Sequence, residues 1–118
     1  MTLIKNNKRL YTVAFGLIMA LAVILRAGKF VFYGGGLNQD EASIGYDAWA
    51  LLHYGIDRNG VSMPVHLIAW GSGQNAMYAY LSMPFIAIFG LTALSVRAVN
   101  LIAGIGAVAS VYFICKNL

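Results

Sequence analysis

From Leu10 to Leu25 sixteen consecutive residues carry no charge. A helix with no polar face belongs in a protein core or in lipid, and its flanks decide between the two. Lys5, Lys8 and Arg9 precede the run, while Arg26 and Lys29 close it. Basic stems at both ends of an apolar run snorkel to lipid headgroups, so the segment reads as a membrane helix. Phe30, Phe32 and Tyr33 supply an aromatic belt at its exit, and Gly34, Gly35 and Gly36 break it, giving a first span over 10–33. A cleaved signal peptide shares the basic start and apolar run. Arg26 and Lys29, however, stand where the small residues of a cleavage site belong, and an uncleaved helix is expected.

The remainder supports a lipid environment. Apolar residues make up 60% of the 118 positions and charged residues 10%, against roughly 25% charged in an ordinary soluble domain. A second apolar stretch covers 74–91, interrupted by Pro84, and a third covers 98–115, with Arg97 and a short link between them. A short link predicts an antiparallel hairpin of two further spans. Ala103, Gly104, Gly106, Ala107 and Ser110 give the last one a smooth small-residue face for close packing. The expected fold class is therefore an all-α membrane protein of about three transmembrane helices.

All four acids, Asp40, Glu41, Asp47 and Asp57, fall between the first and second spans, in a loop over 34–73. Within it Glu41 to Tyr54 places Ile44, Ala48, Leu51 and Leu52 at helical spacing, with acids at its start and Gly55 at its end. An amphipathic helix on the membrane surface is predicted there, followed by a turn over Asp57, Arg58, Asn59 and Gly60. With the N-terminus cytoplasmic, as the first basic flank favours, the loop faces the periplasm or cell exterior. The basic residues otherwise split evenly: Lys5, Lys8, Arg9 and Arg97 inside, Arg26, Lys29, Arg58 and Lys116 outside.

Several functions are disfavoured by the same residues. The eight Lys and Arg form no stripe able to track a phosphate backbone, so nucleic acid is not an expected partner. Cys115 stands alone, without a disulfide or CxxC partner. His53 and His66, thirteen apart with no further patterned ligand, specify no zinc. No cofactor is expected, and a divalent metal at Asp40 would need ligands from further loops. A cation transporter would carry acids within its spans, and none lies there.

The stretch Leu37-Asn38-Gln39-Asp40-Glu41-Ala42-Ser43-Ile44-Gly45-Tyr46-Asp47-Ala48 resembles the first external loop of GT-C fold membrane glycosyltransferases. The similarity is to the family 39 type: protein O-mannosyltransferases and their bacterial relatives, including lipid A aminoarabinose transferases. Its carriers are Asp40-Glu41 after a membrane helix, Gly45-Tyr46-Asp47-Ala48, Gly55-Ile56-Asp57, Gly60 and Pro64. The run Ala69-Trp70-Gly71-Ser72-Gly73-Gln74-Asn75-Ala76 and the basic Arg97 add to it. The resemblance implies transfer of a sugar from a polyprenyl-phosphate donor to a lipid or protein acceptor, with inversion. It also implies that Asp40 is the general base, with Glu41 beside it in the catalytic signature as an orienting group. Such enzymes have many more membrane helices, so the chain is expected to be an N-terminal segment, inactive alone, whose missing remainder is a partner.

A carboxylate at a membrane interface is suited to taking an acceptor proton. Asp40, Asp47 and Tyr54 sit seven apart, drifting about 20° per step on a helix, and are expected to line one wall of a substrate pocket. Tyr46 is taken with them as substrate-binding. Arg58, with Arg26 and Lys29, could meet the donor phosphate, although snorkelling to lipid phosphates is the better account of such cations. Trp49, Trp70, Tyr78 and Tyr80 are read as interface anchors. The competing reading is a small membrane scaffold or subunit, in which Asp40 caps the helix and Glu41 complements its dipole.

Overall fold

The structure is a computed structural model that describes the backbone of residues 2–32 and 36–117 and the side chains of residues 9–28 and 36–116. It is mostly helical: α1 (Thr2–Phe32), α2 (Gln39–Tyr54), α3 (Ala76–Phe89) and α4 (Ala93–Asn117). Tyr33, Gly34 and Gly35 lie outside the described residues, as do the side chains of Lys5, Lys8, Lys29, Phe30 and Phe32. The aromatic belt and part of the glycine break expected there fall in that group.

The expectation of an all-α chain needs correction. Two strands, β1 (His66–Ala69) and β2 (Ser72–Asn75), pair antiparallel with Ala69 opposite Ser72. Trp70 and Gly71 make the two-residue connection, both with positive φ, at 53° and 77°. That is the type I′ geometry that matches strand twist. Glycine takes it freely, whereas tryptophan is rare in that region, and for this reason the sequence does not announce the hairpin.

Among the described residues two helices, not three, are long and apolar enough to cross a membrane: Arg9–Gly28 within α1 and Ala93–Lys116 within α4. At 14 residues, α3 rises about 21 Å, well short of a hydrocarbon core of about 30 Å. Its ends are also tied to one place. Gln74, just before α3, donates to Asp40, and Arg97, beyond it, pairs with the neighbouring Glu41 at 2.7 Å. The stretch 74–91, expected as a second span, thus holds a helix of 14 residues whose two flanks both meet the first turn of α2.

One compact unit comprises α1 with α4 from Leu101 onward. The two helices run antiparallel: Phe15 stacks on Tyr112 with ring centroids 4.0 Å apart, and Arg26 lies against Gly104. A Cβ at Gly104 would stand 2.6 Å from the Arg26 Nε, so that glycine admits a side chain from α1. Leu17, Leu21, Ile24 and Leu25 on α1 and Ile102, Val111 and Ile114 on α4 are exposed.

The second unit comprises α2, the hairpin, α3 and the start of α4. Its core is Ala48, Leu67, Ala76, Ala79 and Ile86, with Ile44, Trp49, Leu52, Tyr80 and Met83 packed on it. The apolar spacing expected along α2 is realised, but that face meets α3 and β1 rather than lipid. Gly45 lets the start of α4 approach, since a Cβ there would lie 2.6 Å from Val96 Cγ2. Tyr78 and Tyr80, read as interface anchors, are half-buried and donate to the Val96 and Pro64 carbonyls, each at 2.8 Å. Thr92 and Ser95 exchange side-chain acceptance of each other's backbone N–H groups at the start of α4.

Candidate functional site

The first turn of α2 separates its two acids. Asn38, in extended conformation, is the N-cap: its side chain accepts from the Glu41 N–H at 2.8 Å, and the Glu41 carboxylate accepts from the Asn38 N–H at 3.1 Å. This reciprocal box satisfies two of the backbone donors that every helix start leaves open. Glu41 also takes Arg97 on both oxygens, Nε at 2.9 Å and Nη2 at 2.7 Å. Arg97 Nη2 donates further to the Gly36 carbonyl at 3.1 Å. Hydrogen bonding by Arg97 outweighs desolvation and, with the Asn38 N–H, holds the Glu41 carboxyl below its ordinary range.

Asp40 takes no part in the cap, unlike in the competing reading, in which it closes the helix start. It is exposed, and Gln74 Nε2 donates to its Oδ1 at 3.1 Å. Among the described residues no cation pairs with it.

Behind Asp40 runs a chain of polar groups with a fixed direction. Asp47 is fully buried and takes Arg58 on both oxygens, Nε at 2.9 Å and 3.1 Å and Nη2 at 2.6 Å, while accepting the Arg58 backbone N–H at 3.0 Å. Arg58 Nη2 reaches on to the Ser43 carbonyl at 2.7 Å and to the Ser43 hydroxyl. Since Ser43 Oγ accepts there, its single proton is given to Gln74 Oε1, at 3.2 Å. The amide is thereby turned with its NH₂ toward Asp40. A buried ion pair on one end and an exposed carboxylate on the other are linked through Ser43 and Gln74.

The other expected site residues are distributed differently. Asp40, Asp47 and Tyr54 do not form one wall: Asp47 faces inward, Asp40 is exposed at the helix start and Tyr54 is 67% exposed at its end. Tyr46, six residues from Asp40, lies about 120° around the helix from it. It joins Trp49, His53 and Tyr54 in a surface row, with Trp49 and His53 stacked at 4.6 Å. Arg58 turns its fork toward Asp47 and Ser43, a positive charge committed inside the unit; Asp47 raises its pKa. Asp57 accepts the Asn59 and Val61 N–H groups, each at 2.9 Å, and so builds the expected turn.

Ser43 and Gln74 were not singled out from the sequence. Gln74 is thirty-four residues from Asp40 and stands at the edge of an apolar stretch, so the juxtaposition depends on the hairpin. Among the described residues, no three His, Cys, Asp or Glu side chains are grouped to hold a metal ion. Compared with protein-family models, curated proteins and solved structures, the chain matches none.

Proposed function

We propose that this chain is the N-terminal part of an inverting membrane glycosyltransferase that takes a sugar from a polyprenyl-phosphate donor, with Asp40 as general base. The carrying observation is the division of labour among the acids. Asp47 is consumed by Arg58, Glu41 by Arg97 and the cap, and Asp57 by two backbone N–H groups. Asp40 keeps one oxygen for Gln74 and presents the other to an acceptor. In the step, the acceptor oxygen attacks the anomeric carbon, its proton passes to Asp40, and the bond to the phosphate oxygen breaks as polyprenyl phosphate leaves. Glu41 and Arg97 set the position of the helix start beneath that carboxylate.

In this reading α1 and α4 cross the membrane antiparallel, and the segment carrying Asp40, which joins them in sequence, lies outside the cytoplasm. Arg97 then marks the headgroup level, because a charge deeper in the bilayer is costly. The crossing part of α4 is 98–116, which rises about 28 Å. Lys116 moves to the side of Lys5, Lys8 and Arg9, and Arg97 to the side of Arg26, Lys29 and Arg58. The count of basic residues stays even, and the first flank carries the orientation.

The scaffold alternative draws support from Glu41, which serves helix and packing, but it gives the exposed Asp40 no task. The test is sugar transfer from a polyprenyl-phosphate donor in membranes that contain the protein. Asp40→Asn is expected to lower it by about 10²–10⁴-fold, the range for a lost general base, while the isolated 118-residue chain transfers nothing. Normal transfer by Asp40→Asn removes the enzymatic reading.

A further inference from the structure

Packing of α3 on α2 and the hairpin uses one side of the helix: Ala76, Ala79, Ser82 and Ile86 are buried. Another side is uncovered. Met77, Leu81, Pro84 and Ile88 follow one another at steps of four, three and four, which confines them to a stripe about 60° wide. All four are exposed, Met77 by 66%, Leu81 by 51% and Ile88 by 73%. Pro84 interrupts no polar row here, since its neighbours on the stripe are as apolar as itself.

Three observations bear on what covers this stripe. First, no Asp, Glu, Lys or Arg occurs anywhere between Arg58 and Arg97. A surface that binds another soluble protein rims its apolar centre with polar and charged groups, and α3 offers no charged rim. Second, both ends of the α3 segment are tied to adjacent acids of α2, through Gln74 with Asp40 and Arg97 with Glu41. Third, apolar exposure continues beyond α3 through Phe89, Leu91 and Leu94, up to Arg97.

We infer that α3 is an in-plane membrane helix whose Met77, Leu81, Pro84 and Ile88 stripe is buried in the lipid leaflet on the side of Asp40. This rests on the reading above that α1 and α4 cross that bilayer. The polar side that an interfacial helix turns to water is here replaced by α2 and the hairpin, and a helix lying in the interface plane buries its apolar face about 5–10 Å into the boundary between headgroups and acyl chains. Gln74 stands two residues before α3, so the depth of α3 sets the height of Asp40 above the acyl region. The partner of this surface is lipid, and its effect is to hold the carboxylate at the level of lipid phosphates.

Spin labels read the prediction directly. In a Cys115→Ser background, the full chain carrying Met77→Cys, Leu81→Cys or Ile88→Cys is labelled in phosphatidylcholine–phosphatidylglycerol vesicles. Leu17→Cys and Ile102→Cys report on the long helices and Asn59→Cys on the exposed turn. Oxygen partitions into acyl chains, whereas a nickel chelate stays in water. The three α3 labels are expected to respond to oxygen and lose the nickel response, matching positions 17 and 102, while position 59 responds to nickel. A nickel response along α3 overturns the inference. So does shielding from both reagents, which would place a second copy or another protein surface on the stripe. A nickel response at positions 17 and 102 refutes the membrane crossing itself, so the two failures are distinguishable.

Discussion

Asp47 offers a quantitative test of how the second unit is held. Its side chain is 1% exposed, and its oxygens take two donors from the Arg58 side chain and one from the Arg58 backbone. Arg58→Met keeps most of the aliphatic stem and removes the fork, leaving a buried carboxylate with one backbone N–H. Breaking a fully buried pair costs about 3–5 kcal/mol. Because 26% of the Arg58 side chain is exposed, water compensates part of that loss, and we expect about 2 kcal/mol. That corresponds to roughly a 30-fold fall in the ratio of folded to unfolded chain. The double variant Asp47→Leu/Arg58→Met removes both charges and is expected to be more stable than Arg58→Met alone, since replacing both members of a buried pair by apolar groups is often neutral. The assay is denaturation of the detergent-solubilised full chain, followed by Trp49 fluorescence in a Trp70→Phe background; Trp49 packs against the core, whereas Trp70 is exposed. A cost below about 0.5 kcal/mol for Arg58→Met, or a double variant as unstable as the sum of its singles, would refute the assignment of Asp47 as a desolvated, dependent charge.

Other expectations follow from individual contacts. Asp40→Asn should change stability in the same denaturation assay by no more than about 0.5 kcal/mol, because the exposed side chain has one neutral partner; Asn38→Ala, which opens the cap, should cost about 1 kcal/mol. Glu41 contributes stability through a folded-state pKa lowered by Arg97, so that contribution is present above its ordinary value of 4.5 and is lost as pH falls below it through the lowered value. Acid unfolding curves should show this, and Arg97→Gln should flatten that limb. Gly45→Ala sets a methyl against Val96 Cγ2 and Leu91 Cδ1 and should lower stability by about 1–3 kcal/mol. Val96→Ala should cost less in the Gly45→Ala background than in the wild type, as expected for residues in direct contact.

Much of the local structure is legible along the chain because it depends on neighbours in sequence. The uncharged run at 10–25, the helix ending at Tyr54 before Gly55, and the turn at Asp57 all follow from spacing, charge and turn chemistry, and the structure bears them out. The left-handed Gly55, at φ 70°, ends α2 where the sequence places its stop. The identity of the cap was not legible: Asn38 and Asp40 are both good capping residues, and the choice depends on Glu41 lying three residues after Asn38 to close the box.

What composition could not decide is whether an apolar helix faces lipid or protein. Hydropathy treats 74–91 and 98–115 alike, yet a hydrogen bond at Gln74 and an ion pair at Arg97 return the chain to α2, and the helix between them has only 14 residues. The same long-range contacts single out Asp40, since Arg58, Arg97 and the cap engage the other acids or their neighbours. The amino-acid sequence by itself determined the helices, the loop that carries every acid and the apolar character of the whole. Which carboxylate stays free of a cation, and which apolar stretch is drawn back to α2, were decided by tertiary structure, because they depend on Arg58 meeting Asp47, Arg97 meeting Glu41 and Gln74 meeting Asp40, pairs eleven, fifty-six and thirty-four positions apart.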